Sequence, residues 1–213
     1  MAIIRNGIAG TVSGKLGNTV MYTVLNKTVL RMTGKRRKVD SPKQLCSQRG
    51  MKVVNAFLKP LKPFIRIGFH AAAREAEMYA MNLAVSHHMK HSLKGEYPDL
   101  SIDYEKVLLA KGPLPGLEQP RLELENEGLS IRWESSMDPD AHPADQLMLL
   151  VYFPVLSEVC YNLYGARRMQ GYDFLELPAK LKQHPMEIYC AMVSADRSRV
   201  SDSRHLILAN KNS

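Results

Sequence analysis

The stretch "PRLELENEGLSIRWES", residues 120–135, decides the fold class of this chain. Its first half alternates leucine with glutamate, and its second half places Ile131 and Trp133 two residues apart. A period of two is that of a strand with one face in a core, and Glu127-Gly128 between the halves predicts a tight turn. The segment therefore predicts a β-hairpin with Trp133 in the core.

Further short segments of this kind follow Tyr97, separated by turns rich in Pro, Gly and Asp: "SIDYEKVLLA", "DQLMLLVYF", "GYDFLELP", "MEIYCAMVSAD" and "RHLILAN". About seven strands in this arrangement predict an antiparallel β-sandwich of the immunoglobulin or fibronectin type over residues 96–213. Cys160 and Cys190 can either bridge its sheets or stay free, and a reducing compartment favours free thiols.

The first 95 residues predict a different organisation. Residues 18–26 and 27–33 are rich in Thr, Val and Tyr and predict a β-hairpin, with the glycines of residues 10–20 as a flexible lead-in. Helix is predicted over residues 42–93, with Asp40 or Ser41 as the N-cap.

Two prolines subdivide the predicted helical region. Pro60 and Pro63 predict an interruption, since proline lacks the amide hydrogen that a helix interior needs. The longest helix is predicted from His70 to about Leu93, with Gly95 ending it. The fold class is therefore α+β: a basic N-terminal hairpin with helices over residues 1–95, and a β-sandwich over residues 96–213.

Charge divides between the same two regions. The net charge is +8, and residues 1–95 hold 17 of the 29 Lys and Arg but three of the 21 Asp and Glu. A basic half attracts polyanions, of which nucleic acid is the commonest, although an acidic protein partner or neutralisation within an oligomer also fits.

The densest basic signal is "GKRRKV", residues 34–39. Placed on one surface with its neighbours, it would bind a phosphate backbone with strong salt dependence and little sequence preference. The alternative is a solvated basic linker. Sparse aromatic residues argue against base stacking on single strands. The candidate polyanion-binding residues are Lys15, Lys27, Arg31, Lys35, Arg36, Arg37, Lys38, Lys43 and Arg49.

Other chemistries have weaker signals. The stretch Gly10–Gly14 is too short for a phosphate loop, and a leucine stands where that loop needs a hydroxyl. His87 and His91 share a helix face, but together they supply only two ligands, fewer than zinc usually takes. Histidines near the C-terminus of a helix also interact favourably with the helix dipole, which explains their position without a metal. The acidic stretch 137–145 lacks the spacing of a calcium loop. We therefore predict no catalytic residues, metal site or cofactor.

Compartment and membrane contact follow from what the sequence lacks. The N-terminal residues have no apolar core of signal-peptide length, and the longest apolar run, residues 147–156, is too short to span a bilayer. Three widely spaced cysteines without a CxxC motif are typical of reduced thiols. A cytoplasmic protein without a membrane partner is predicted, its oligomeric state left open.

A set of motifs extends along most of the chain, at Gly7, Gly10, Ser13, Gly14, Lys15, Gly17, Asn18, Val20, Gln44, Leu45, Gln48, Arg49, residues 57–69, residues 97–116 and Trp133. These motifs resemble those of a Bacteroidetes family of about 200 residues that is catalogued as a domain of unknown function. The resemblance covers nearly the whole chain and implies no activity, cofactor or catalytic residue. The first half also resembles the basic hairpin segment of some proteins of phage-like elements.

Two functions remain as expectations. The first is a non-enzymatic binding protein whose basic half engages nucleic acid or another polyanion. The second is a structural or assembly component, of the kind found in phage-like particles, whose basic half docks on an acidic protein.

Overall fold

A computed structural model describes residues 2–4, 12–24, 27–35, 41–134 and 138–208. The chain divides into two compact units, Met1–Leu45 and Cys46–Ser213. The domain ranges 1–95 and 96–213 remain a prediction.

The first unit contains an antiparallel four-stranded sheet with the strands in chain order. The predicted hairpin is confirmed as its last two strands. The glycine-rich lead-in is itself a strand followed by a two-residue turn, in which Gly17 adopts a φ of +57°. The strands are β1 (Ala2–Ile4), β2 (Val12–Leu16), β3 (Thr19–Val24) and β4 (Lys27–Met32).

Helix α1 runs without a break from Pro42 to Gly68. Its start is a capping box, in which Ser41 Oγ accepts from the Gln44 amide at 3.3 Å and Gln44 Oε1 accepts from the Ser41 amide at 2.8 Å. Of the two predicted N-caps, Ser41 is confirmed, and Asp40 lies outside the described residues.

The predicted interruption at Pro60 and Pro63 is wrong. Each proline frees the carbonyl four residues earlier, here those of Ala56 and Lys59. Both of those residues are exposed, so water can replace the two lost hydrogen bonds. The helix therefore tolerates the prolines on its solvent side while its other face stays packed.

The predicted longest helix, from His70 to Leu93, is also wrong. The chain forms α2 (His70–Glu75) and α3 (Ala80–His91) with a break between them. Glu77 adopts a φ of +49°, which ends helical geometry, and the Met78 amide donates back to the Ala73 carbonyl at 2.9 Å. A local backbone turn therefore separates two segments of good helical propensity.

The strands of the second unit pair in antiparallel fashion. They form a four-stranded sheet of order β10-β9-β12-β13, a three-stranded sheet of order β11-β8-β7 and the pair β5-β6. The hairpin predicted from residues 120–135 is confirmed as β7 and β8, and the α+β class is confirmed. The strands are β5 (Leu93–Lys94), β6 (Ser101–Ile102), β7 (Glu118–Leu124), β8 (Gly128–Glu134), β9 (Gln146–Phe153), β10 (Glu158–Asn162), β11 (Tyr172–Glu176), β12 (Glu187–Val193) and β13 (Arg204–Leu206).

Strand β9 lies in the middle of this unit and is buried on both faces. Alternate residues such as Leu150 pack with α1 residues such as Leu61, whereas Leu149 and its counterparts pack with Trp133 and the three-stranded sheet. This explains the uninterrupted apolar run of residues 147–153. Trp133 is 6% exposed, which confirms its predicted core position.

The three cysteines are free, as favoured from the sequence. Cys160 and Cys190 lie in β10 and β12 of one sheet, on either side of β9, so they do not face each other across two sheets. Among the described residues, no helix is both long and apolar enough to cross a membrane.

Candidate polyanion-binding surface

The N-terminal sheet brings three of the predicted cations onto one face. Lys15 pairs with Val20, and Val20 pairs with Arg31, so the three form one row across β2, β3 and β4. Lys27 precedes Arg31 by four residues in the same strand and therefore shares that face. All three cations are exposed. Tyr22 lies among them, with its ring centroid 5.6 Å from Arg31 Cζ.

The opposite face of this sheet is apolar and open. It carries Leu16, Leu30 and Met32, which are 66%, 58% and 73% exposed. The register aligns Met32 with Thr19 and Thr19 with Leu16, so these side chains form a continuous surface. The sheet thus has one cationic and one apolar face.

The other predicted cations are distributed differently. Lys35 follows β4 and is exposed, and Lys43 is exposed in the first turn of α1. Arg36, Arg37 and Lys38 lie outside the described residues. Arg49 belongs to the second unit, where it begins a longer row of cations.

This row, here called the α1 stripe, consists of Arg49, Lys52, Lys59, Lys62 and Arg66. At about 100° per residue, the five positions fall within an arc of about 140° on the side opposite the buried face, and they span about 26 Å of helix. All five are exposed, and the whole of α1 contains no Asp or Glu. None of the five forms an ion pair with a carboxylate that the structure describes.

The candidate residues predicted from the sequence include Arg49 but not the other four members of the α1 stripe. The predicted interruption at Pro60 and Pro63 separated Lys62 and Arg66 from Arg49. A usable signal was present, because Phe57, Leu61, Phe64 and their neighbours keep a helical apolar period through both prolines.

The histidines of α3 do not assemble a metal site. The rings of His87 and His91 are 4.8 Å apart between centroids, and burial, followed by the neighbouring His91, lowers the pKa of His87. Within the part of the chain that the structure describes, no three His, Cys, Asp or Glu residues converge for a metal ion.

His88 is a buried titratable group that the sequence did not indicate. Its Nδ1 donates to the Ala84 carbonyl at 2.7 Å, whereas its Nε2 is buried without a hydrogen-bond partner. Burial lowers the pKa of His88 to about 4. The side chain packs beside Phe57 in the core between α1 and the sheet β10-β9-β12-β13. The folded protein therefore holds His88 in its neutral form.

The acidic stretch 137–145 supplies a structural ion pair. Asp145, which is 1% exposed, accepts from Arg168 Nε at 3.3 Å. Arg168 also donates to the carbonyls of Gly116 and Pro115 at 2.9 and 2.6 Å, and its own carbonyl accepts from Trp133 Nε1. This pair ties three loops together.

One cleft of about 560 Å³ holds a carboxylate–imidazole contact. His205 Nε2 lies 2.7 Å from Glu187 Oε2, and the ring packs against Tyr189. The described residues that line this cleft include no serine, threonine or cysteine, and the hydroxyl among them is that of Tyr104, whose pKa is raised by burial.

Comparison with known proteins gives a family but no activity. The model of one protein family, described as a family of unknown function, matches residues 11–207. No curated protein and no solved structure matches the chain significantly.

Proposed function

The chain belongs to the family of unknown function DUF6266, and we propose that it is a non-enzymatic protein whose basic N-terminal half binds nucleic acid. The observation that carries this proposal is the α1 stripe. Its five exposed cations share one helix face, and no carboxylate of that helix lies among them.

Such a row suits a phosphate backbone. Each Lys or Arg that neutralises a phosphate releases a condensed counterion, and this entropy gain drives binding without regard to sequence. The two aromatic residues of α1, Phe57 and Phe64, are both buried, so the stripe offers no platform for stacking bases. Duplex binding through the backbone is therefore expected.

The first unit carries a set of cations of its own. Lys15, Lys27 and Arg31 share one sheet face, and the basic run of residues 35–38 follows. The residues proposed to contact nucleic acid are Lys15, Lys27, Arg31, Lys35, Arg36, Arg37, Lys38 and Lys43 of the first unit and, in the second unit, Arg49 with the rest of the α1 stripe.

Replacing three stripe lysines tests this proposal. The variant K52Q/K59Q/K62Q should bind a random-sequence duplex about 10- to 100-fold more weakly than the wild type at physiological salt, because three phosphate contacts are lost. The control K94Q/K106Q/K180Q removes three exposed cations outside α1 and should bind as the wild type does. Equal losses in both variants would mean that net charge, and not the stripe, determines binding.

Two finer features belong to the same proposal. We propose that the three-stranded and four-stranded sheets form an immunoglobulin-like sandwich, supported by the apolar cluster that Trp133 and Leu149 share between them. We also propose a cytoplasmic location and a Bacteroidetes origin. Free Cys46, Cys160 and Cys190 support a reducing compartment.

The second candidate function is an assembly component that docks on an acidic protein. The apolar face of the N-terminal sheet favours it, because Leu16, Leu30 and Met32 are largely exposed. The variant L30S/M32S should abolish incorporation into a higher-mass complex, as measured by light scattering, if that face is covered on assembly. An unchanged mass distribution would remove this candidate's structural support.

A further inference from the structure

A groove between α1 and α3 combines an apolar floor with polar sides, one of which carries Lys90. Its volume is about 530 Å³, within the usual range for binding sites. The floor includes Met51, Val85 and Met89, and Met51 remains 42% exposed. Asn55 and Lys90 stand at its sides.

The charge around this groove has one sign. Neither α1 nor α3 contains a single Asp or Glu. Lys90 lines the groove from α3, and Lys62 lies on the same side of α1 as Met51, about three turns farther on. An occupant that contacts both floor and walls must therefore be apolar on one side and acidic on the other.

We propose that this groove binds an acidic amphipathic helix of a protein partner. A helix face presents three or four apolar side chains in two turns, which matches a floor of this size. Methionine side chains adapt their shape to such anchors. Carboxylates on the flanks of the bound helix would meet Lys90 of α3 and Lys62 of α1. This inference rests on the second candidate function, docking on an acidic protein, and does not require nucleic-acid binding.

The floor favours a protein over nucleic acid as the occupant. Phosphates gain nothing from contact with Met51, Val85 and Met89, and their desolvation against apolar side chains is unfavourable. Met51, Val85 and Met89 are not members of the α1 stripe, so substitutions in the floor test the groove separately from the stripe.

Two synthetic peptides provide the test. One is an acidic helix of about 18 residues with leucine on one face and glutamate elsewhere, and the other is its scrambled isomer without an apolar face. Fluorescence anisotropy with the full-length protein at physiological salt should show about tenfold tighter binding of the amphipathic peptide. Equal binding of the two peptides would overturn the proposal, because charge alone would then explain it.

A matched pair of methionine variants localises the binding. M51Q should lower the affinity for the amphipathic peptide about tenfold. M78Q should leave this affinity unchanged, because Met78 is similarly exposed, at 40%, but lies outside the groove. Duplex DNA affinity should be the same for M51Q and the wild type. A peptide affinity that M51Q does not change would overturn the proposal.

The affinity of M51Q for duplex DNA distinguishes the groove from the nucleic-acid site. If M51Q lowers the affinity for duplex DNA as much as that for the peptide, the groove belongs to a nucleic-acid site and the proposal is wrong. If the protein binds the peptide through Met51 but binds no DNA, the groove inference stands and the nucleic-acid function fails.

Discussion

His88 should make the stability of the second unit depend on pH. Its pKa falls from 6.5 in the unfolded chain to about 4 in the fold, since burial penalises the imidazolium and Nε2 has no partner. As the pH falls from 7, the unfolded chain takes up this proton before the folded chain does. Stability due to His88 is thus fully present above pH 7 and is lost progressively down to about pH 4. At 1.36 kcal/mol per pH unit, the loss amounts to about 3 kcal/mol.

Denaturation by guanidinium at pH 7, 5.5 and 4.5, followed by Trp133 fluorescence, measures this loss. Trp133 is the one tryptophan of the chain and lies buried in the same unit. H88F keeps an aromatic ring in the core but cannot titrate, so between pH 7 and pH 4.5 its stability should fall by about 2.5 kcal/mol less than that of the wild type. H91Q, at an exposed histidine of the same helix, should retain the wild-type dependence. Parallel pH profiles for H88F and the wild type would refute this reasoning.

Two further predictions concern the same unit, and the denaturation assay measures both. R168A should cost about 3–5 kcal/mol, because it leaves Asp145 buried without its partner, whereas R121A, from an exposed pair at 3.9 Å, should cost less than about 1 kcal/mol. Similar losses in the two variants would contradict this. G68A should destabilise by about 1–3 kcal/mol, since its Cβ would lie 2.3 Å from the Leu109 carbonyl oxygen and backbone would have to move. G116A, where nothing lies within 4 Å, is its control, and a G68A protein as stable as G116A would show that this approach is not tight.

The sequence predicts the hairpins well because their signal is local. In residues 120–135 and 18–33, alternation and a turn dipeptide lie within one short window. The even spacing of Lys27 and Arg31 already implied a shared face. The row with Lys15 could not be predicted, since it depends on the register of β2 against β3.

The helical region shows why the rest was missed. Proline propensity is a rule about hydrogen bonds, and it fails at Pro60 and Pro63 because Ala56 and Lys59 face water. The error at Glu77 is the reverse, because a helix was predicted where the chain breaks. The neighbouring residues favour helix, but a local backbone turn at Glu77 overrides their propensity. The first error hid the second half of the α1 stripe, which exists only with a continuous α1.

The salt dependence of duplex binding tests the central claim most directly. If each of the five α1-stripe cations neutralises one phosphate, the logarithm of the binding constant should fall with the logarithm of the salt concentration with a slope of about −4.5 or steeper. Binding should then be about 500-fold weaker at 200 mM than at 50 mM salt. The slope for K52Q/K59Q/K62Q should be smaller in magnitude by about 2.7, and that for K94Q/K106Q/K180Q should match the wild type. A wild-type slope near zero, or equal slopes for the wild type and the stripe variant, would contradict nucleic-acid binding by α1.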